Sequence, residues 1–133
     1  MDYFEKKFLL MSNLAKRNLN KNKNNVLRKA FTQGQEQGFE IITNKVSKEA
    51  TEFHKLYNEV SWELNRCKSF LRFKVQDDKL IAKTFFNHRI EDLLVKHFSN
   101  RFPGKQVVIV NEKFGVAFTG ENGRLNIVSQ NVF

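Results

Sequence analysis

Apolar residues recur at helical spacing at the start of the chain: Phe4, Phe8, Met11, Ala15 and Leu19, with Lys6 and Arg17 on the far side. This pattern predicts an amphipathic helix over residues 3–19. The run "NLNKNKNN" (18–25) then breaks it, because asparagine side chains compete with the helix backbone for hydrogen bonds. A second, short helix is expected from Asn25 to about Gln33, ended by Gly34 and Gly38. The apolar run "FEII" (39–42) has no assignable period. Ser47 is the expected N-cap of the clearest helix, although Ala50 occupies the position of a capping-box glutamate. Phe53, Leu56, Val60, Leu64 and Cys67 share one face of that helix, and Lys48, Lys55, Trp62 and Arg66 lie across it.

After Ser69 the period falls to two. Leu71, Phe73 and Val75 alternate with Phe70, Arg72 and Lys74, as on a half-buried strand. "QDD" is a turn and "KLIAKTFF" a returning strand. Asn87 is expected to cap a further helix with an apolar stripe of Ile90, Leu93, Leu94 and Phe98, which "RFPG" ends. "QVVIV", "VAFT" and "RLNIV" read as strands separated by "NEKFG" and "GENG". The order predicts an α+β fold: N-terminal helices, then hairpin, helix, and hairpin or meander, with a mostly antiparallel sheet. At 133 residues the expectation is a single domain, with residues 1–24 as a basic helical segment ahead of 25–133.

Charge adds a partner class. The net charge is +9, of which +6 falls in residues 1–30. Such a field draws nucleic acid, acidic membrane or an acidic protein, and does not choose among them. Lys16 and Arg17 lie in this basic segment and are taken as nucleic-acid contacts. No apolar run approaches the roughly 18 residues of a membrane span, so no membrane partner is expected. The single cysteine cannot form an internal disulfide, which fits a cytoplasmic protein. Cys67 reads as a small core residue rather than a reactive thiol.

The search for chemistry excludes more than it finds. His54, His88 and His97 lack metal-ligand spacing, no glycine-rich loop cradles a phosphate, and no serine sits in a nucleophile elbow. No metal or cofactor is expected. "VVIVNEKF" approaches the strand-borne acids of a metal nuclease, but Asn111 stands where the first acid is needed. No catalytic residue is assigned. Trp62, a lone tryptophan among cations, reads either as a base-stacking group or as cover for a neighbouring helix.

Two segments match a known pattern. "ELNRCKSFLRF" (63–73) resembles the motif Glu-x-His-Arg-x-x-Gly-Phe-x-Arg-Phe of a bacterial domain family of unknown function associated with DNA metabolism and repair. "FNHRIEDLLVKHFSNRFPGKQVVIVNEK" (86–113) resembles that family's second motif, through His88, Leu93, Leu94, His97, Phe98, Arg101, Phe102, Pro103 and Ile109. "AFTQGQEQGFEI" (30–41) is similar to the segment that precedes the first motif, so the resemblance covers about residues 30–118. The chain departs from the pattern at Asn65 for histidine, Ser69 for glycine, Phe86 for proline, Asn87 for aspartate, Val107 for tryptophan and Asn111 for aspartate. The resemblance implies a role beside a partner enzyme, because family members tend to be encoded next to a radical-SAM protein and also occur fused to uracil-DNA-glycosylase-like domains.

From these residues a cluster is expected of Arg66, Arg72, Arg101 and His97 with Glu63. It would suit a phosphate or nucleotide site. The same residues would equally serve as an internal salt-bridge network that ties helix, sheet and helix together. Three functions follow: a nucleic-acid-binding accessory protein of DNA repair or DNA metabolism acting with a partner enzyme; a protein-interaction module, adaptor or inhibitor, without DNA affinity; or an enzyme acting on DNA or nucleotides through Glu63 and His88 or His97.

Overall fold

A computed structural model describes residues 1–130 and bears out the α+β expectation; residues 131–133 of the segment 25–133 lie outside the described residues. Four helices come first: α1 (Tyr3–Ala15), α2 (Lys23–Gln37), α3 (Phe39–Thr43) and α4 (Lys48–Phe70). Five strands and one helix follow: β1 (Lys74–Gln76), β2 (Lys79–Thr84), α5 (Glu91–Arg101), β3 (Gln106–Asn111), β4 (Val116–Glu121) and β5 (Arg124–Gln130). The chain divides into two compact units, Met1–Trp62 and a second that starts at Glu63. Among the described residues no helix is long and apolar enough to cross a membrane.

The first unit is built on phenylalanine. Phe8 stacks on Phe53 at 4.8 Å between ring centroids and lies 5.0 Å from Phe39. Met11, Ala15, Ala30, Ile42, Ala50 and Leu56 complete the buried cluster around these rings. Asp2 caps α1 by accepting from the Glu5 N–H at 2.8 Å. The helix stops at Ala15, short of the expected residue 19, because Asn18 is taken into the core. Its amide donates to the Leu56 carbonyl at 3.1 Å, and its Oδ1 accepts from the Asn20 N–H at 2.8 Å. Asn20 repeats the step on the Asn22 N–H, so the asparagine run is a series of local side-chain turns. The second helix is longer than expected and passes straight through Gly34. A Cβ there would run into the Phe39 ring, so this glycine permits close packing rather than ending the helix. Gly38, at φ 97°, makes the break. Ser47 caps α4 as expected, its Oγ accepting from the Ala50 N–H at 3.1 Å.

The second unit is a five-stranded sheet in the order β1-β2-β3-β4-β5. Every pairing is antiparallel except β2 with β3, which run parallel because α5 carries the chain from one to the next. α4 persists to Phe70, past the expected change of period at Ser69, and β1 is only three residues long. Asp77 and Asp78, at φ 50° and 63°, form the tight β1–β2 turn, and Asn122 and Gly123, at φ 51° and 80°, form the β4–β5 turn. α5 starts at Glu91 rather than beside Asn87, with Ile90 in the capping position. The pleat gives the sheet two unlike faces. Ala82, Val107, Ile109 and Phe118 are buried on the face that α5 covers, where Gly120 leaves room for Val95. Lys74, Lys79 and Lys83 lie on the other face and are exposed.

Candidate functional site

Of the expected site residues, Glu63, Arg66, Arg72, His97 and Arg101 fall into three places in the second unit, and Lys16, Arg17 and Trp62 lie in the first. Glu63, on α4, reaches the segment ahead of α5. Its two carboxylate oxygens accept from the Asn87 N–H at 2.7 Å and the His88 N–H at 2.9 Å. A charged acceptor on two backbone donors is a strong local anchor, and it fixes the entry to α5 without a regular cap. Glu63 makes no ion pair with Arg66 or Arg72.

Arg66 and Arg72 are exposed, Arg66 on α4 and Arg72 in the connection to β1. Neither has an ion pair among the described residues. Between them Lys68 is half-buried and Phe70 is 75% exposed; Lys74 follows, also exposed. Cys67 faces inward. Burial pushes its thiol up to about 11, with the Glu63 charge adding to the shift and Arg66 opposing it. A thiol held so high is a poor nucleophile at neutral pH.

His97 and Arg101 share α5. The His97 ring packs edge-on to Phe98 at 4.9 Å, and Phe98 meets Phe73 at 4.8 Å. Desolvation first, then the charges of Lys68 and Arg101, hold His97 below its ordinary value. The structure therefore brings His97, Arg101 and Lys68 into one basic neighbourhood. The Arg101 guanidinium lies over the Phe102 ring at 5.9 Å. In the first unit Lys16 is exposed, with its carbonyl accepting from the Lys23 ammonium at 2.7 Å, and Arg17 is half-buried. Trp62 is 80% exposed.

A further polar cluster sits at the carboxyl ends of the two parallel strands, a position where open α/β sheets present ligand crevices. Thr84 and Asn111 are register partners there, and the Glu112 N–H donates to the Thr84 carbonyl at 2.8 Å. Glu91, at the first position of α5, is 1% exposed. It accepts from the buried Asn111 amide at 3.2 Å, and the Arg89 Nε lies 3.7 Å from the same oxygen. The other end of the Asn111 side chain accepts from the Lys113 N–H at 3.0 Å. Asn111 is thus used as both donor and acceptor, which an aspartate could not do. Sequence reasoning singled out Asn111 only as a missing acid and passed over Glu91. An acid in the first turn of a helix is ordinary, so its burial left no signal in the pattern. Among the described residues no group of three or more histidines, cysteines or acids is placed to hold a metal ion.

The fold thus gathers the motif positions Glu63, His88 and Asn111 at one end of the second unit. The model of a family described as a domain of unknown function, DUF4130, matches residues 21–130, and the chain belongs to that family. Searches of the curated proteins and of the solved structures found no match.

Proposed function

We propose that this chain is a nucleic-acid-binding accessory protein of DNA repair or DNA metabolism that acts with a partner enzyme. The observation that carries the reading is the run from Arg66 to Lys74. Arg66, Arg72 and Lys74 are exposed and have no ion pair among the described residues, and an exposed Phe70 lies between them. Cations left without an ion pair, around an aromatic ring, match what phosphates and bases require. The net charge of +9 supplies the long-range attraction. The partner is of the radical-SAM or glycosylase-like kind that the motif resemblance implies.

The test is DNA binding by fluorescence anisotropy across a salt series. Affinity falls as salt rises, and Arg66→Ala with Arg72→Ala lowers the slope of log K against log salt by about 2. A flat salt response, or no binding at low salt, sinks the reading. A second reading, a protein-interaction module, draws on one feature of the first unit. Lys7, Leu10, Met11, Leu14, His54 and Tyr57 line an open groove of about 460 Å³, and Leu10 is 72% exposed in it. A stable protein complex that Leu10→Glu abolishes, formed by a chain without DNA affinity, would favour that reading.

A further inference from the structure

We infer that the sheet face opposite α5 is a docking platform for single-stranded nucleic acid. The inference rests on the nucleic-acid reading above and says where the strand lies and in what form. Strand register decides which side chains share this face. Lys74 stands opposite Ile81, Gln76 opposite Lys79, Lys79 beside Gln106, and Ile81 beside Val108. The three lysines of the two outer strands, Lys74, Lys79 and Lys83, are all exposed there. Lys79 and Lys83 are four residues apart on one strand, a span of roughly 13 Å. Lys74 lies across from the midpoint of that span, on the neighbouring strand. Neither Lys74 nor Lys79 has a partner among the described residues.

Between these cations the surface is apolar and shallow. Ile81 and Val108 are half-buried rather than covered. Phe85, the residue after β2, is 68% exposed and stands beyond Lys83, at the rim of this face. On the inner strands the floor is closed toward Asn111, where Val110 and Ala117 are buried; it is open toward Lys79 and Gln106 and along β2, whose Lys83 and following Phe85 stay exposed. Two acids lie at its open end, in the β1–β2 turn: Asp78, paired with Lys105 at 3.3 Å, and the exposed Asp77; Glu121 stands opposite Arg124 at the far side of the sheet. Cations alone would suit duplex and single strand alike. The exposed ring and apolar floor reward only a strand whose bases are unstacked and free to lie on them. That difference selects the single strand.

The experiment compares a fluorescent single-stranded oligothymidine of about twelve residues with a duplex of the same length. Wild-type full chain should bind the single strand at least about tenfold more tightly. Lys74→Ala with Lys79→Ala should lower single-strand affinity about tenfold or more and reduce the salt slope by about 2. Phe85→Ala should lower single-strand affinity about fivefold or more and leave duplex affinity unchanged. All three side chains are exposed, and circular dichroism verifies that the variants remain folded. Equal affinity for duplex and single strand overturns the inference. So does binding that Arg66→Ala with Arg72→Ala weakens and the sheet variants do not, an outcome that leaves the general nucleic-acid reading standing. Absence of binding to either probe removes both.

Discussion

The two units of this chain solve the same packing problem with different residues. The first closes its helices around rings: Phe39 and Phe53 each lie within about 5 Å of Phe8, and small residues such as Ala15, Ala30 and Gly34 let the helices approach. The second closes one helix on a sheet whose buried positions are mostly aliphatic, Val95, Ile109 and Val107 among them. Their buried polar groups differ as well. In the first unit Asn18 and His54 bond to backbone carbonyls, those of Leu56 and Ile42. In the second, a carboxylate, Glu91, is buried against a side-chain amide, Asn111. The first arrangement fixes chain path. The second places a charge at the mouth of the parallel strands, where replacing one atom type changes the electrostatics.

The largest expected effect tests the aromatic half of this contrast. Phe53 is fully buried and stacks on Phe8, so Phe53→Ala leaves a cavity beside the Phe8 ring. The expected loss is about 3–5 kcal/mol by chemical denaturation, with faster amide exchange in α1 and α2. A loss under about 1 kcal/mol would show that the rings are not what holds the first unit. This part of the fold was legible in the sequence: the i, i+3 and i+4 spacing of Phe4, Phe8 and Met11, and of Phe53, Leu56 and Val60, marks the buried stripes directly. The helix boundaries were less so. Nothing local distinguishes Asn18 drawn into the core from a solvated asparagine, and Gly34 ends a helix or admits a ring depending on a residue that packs there only in the folded chain.

The next effect tests the buried acid. Asn111→Asp introduces the residue that the motif resemblance associates with this strand end, and it sets a second carboxylate against buried Glu91. The amide donor is lost and two like charges meet with Arg89 as the nearest cation. A destabilisation of roughly 3 kcal/mol is expected at neutral pH. Repulsion raises the carboxyl values in the folded state above those in the unfolded state. The variant is therefore most stable below the unfolded carboxylate range and loses stability as pH rises through the raised folded values. A variant with wild-type stability and an unchanged pH profile would remove Glu91 from the argument. Here the sequence was only partly legible. It marked Glu63, His88 and Asn111 through the motif pattern. It could not show that Glu63 is spent on the Asn87 and His88 N–H groups, nor that Glu91 is buried, because both depend on how α4 and the crossover meet in three dimensions.

The smallest effect tests the claim that the first unit's polar groups hold the chain rather than carry charge. His54 is buried, its Nε2 is 2.9 Å from the Ile42 carbonyl, and its ring meets Phe53 edge-on. Desolvation is the main cause that holds it below its ordinary value. The Ile42 hydrogen bond opposes that shift, and the charges of Lys45 and Lys7 add to it. A base with a lowered folded value binds its proton more readily once unfolded. Its contribution to stability is therefore whole above the ordinary histidine value near 6.5 and is lost as pH falls below it. His97 is lowered too, by desolvation and by Lys68 and Arg101, and adds a loss of the same sign from the second unit. His54→Gln keeps a donor for the Ile42 carbonyl and removes the titration, so denaturation midpoints should decline less between pH 7 and pH 5 than in the wild type. The residual slope should then shrink again on His97→Gln. If His54→Gln leaves the decline unchanged, protonation of His54 is not coupled to folding, and the first unit's histidine is better described as part of the open groove than as a latch on Ile42.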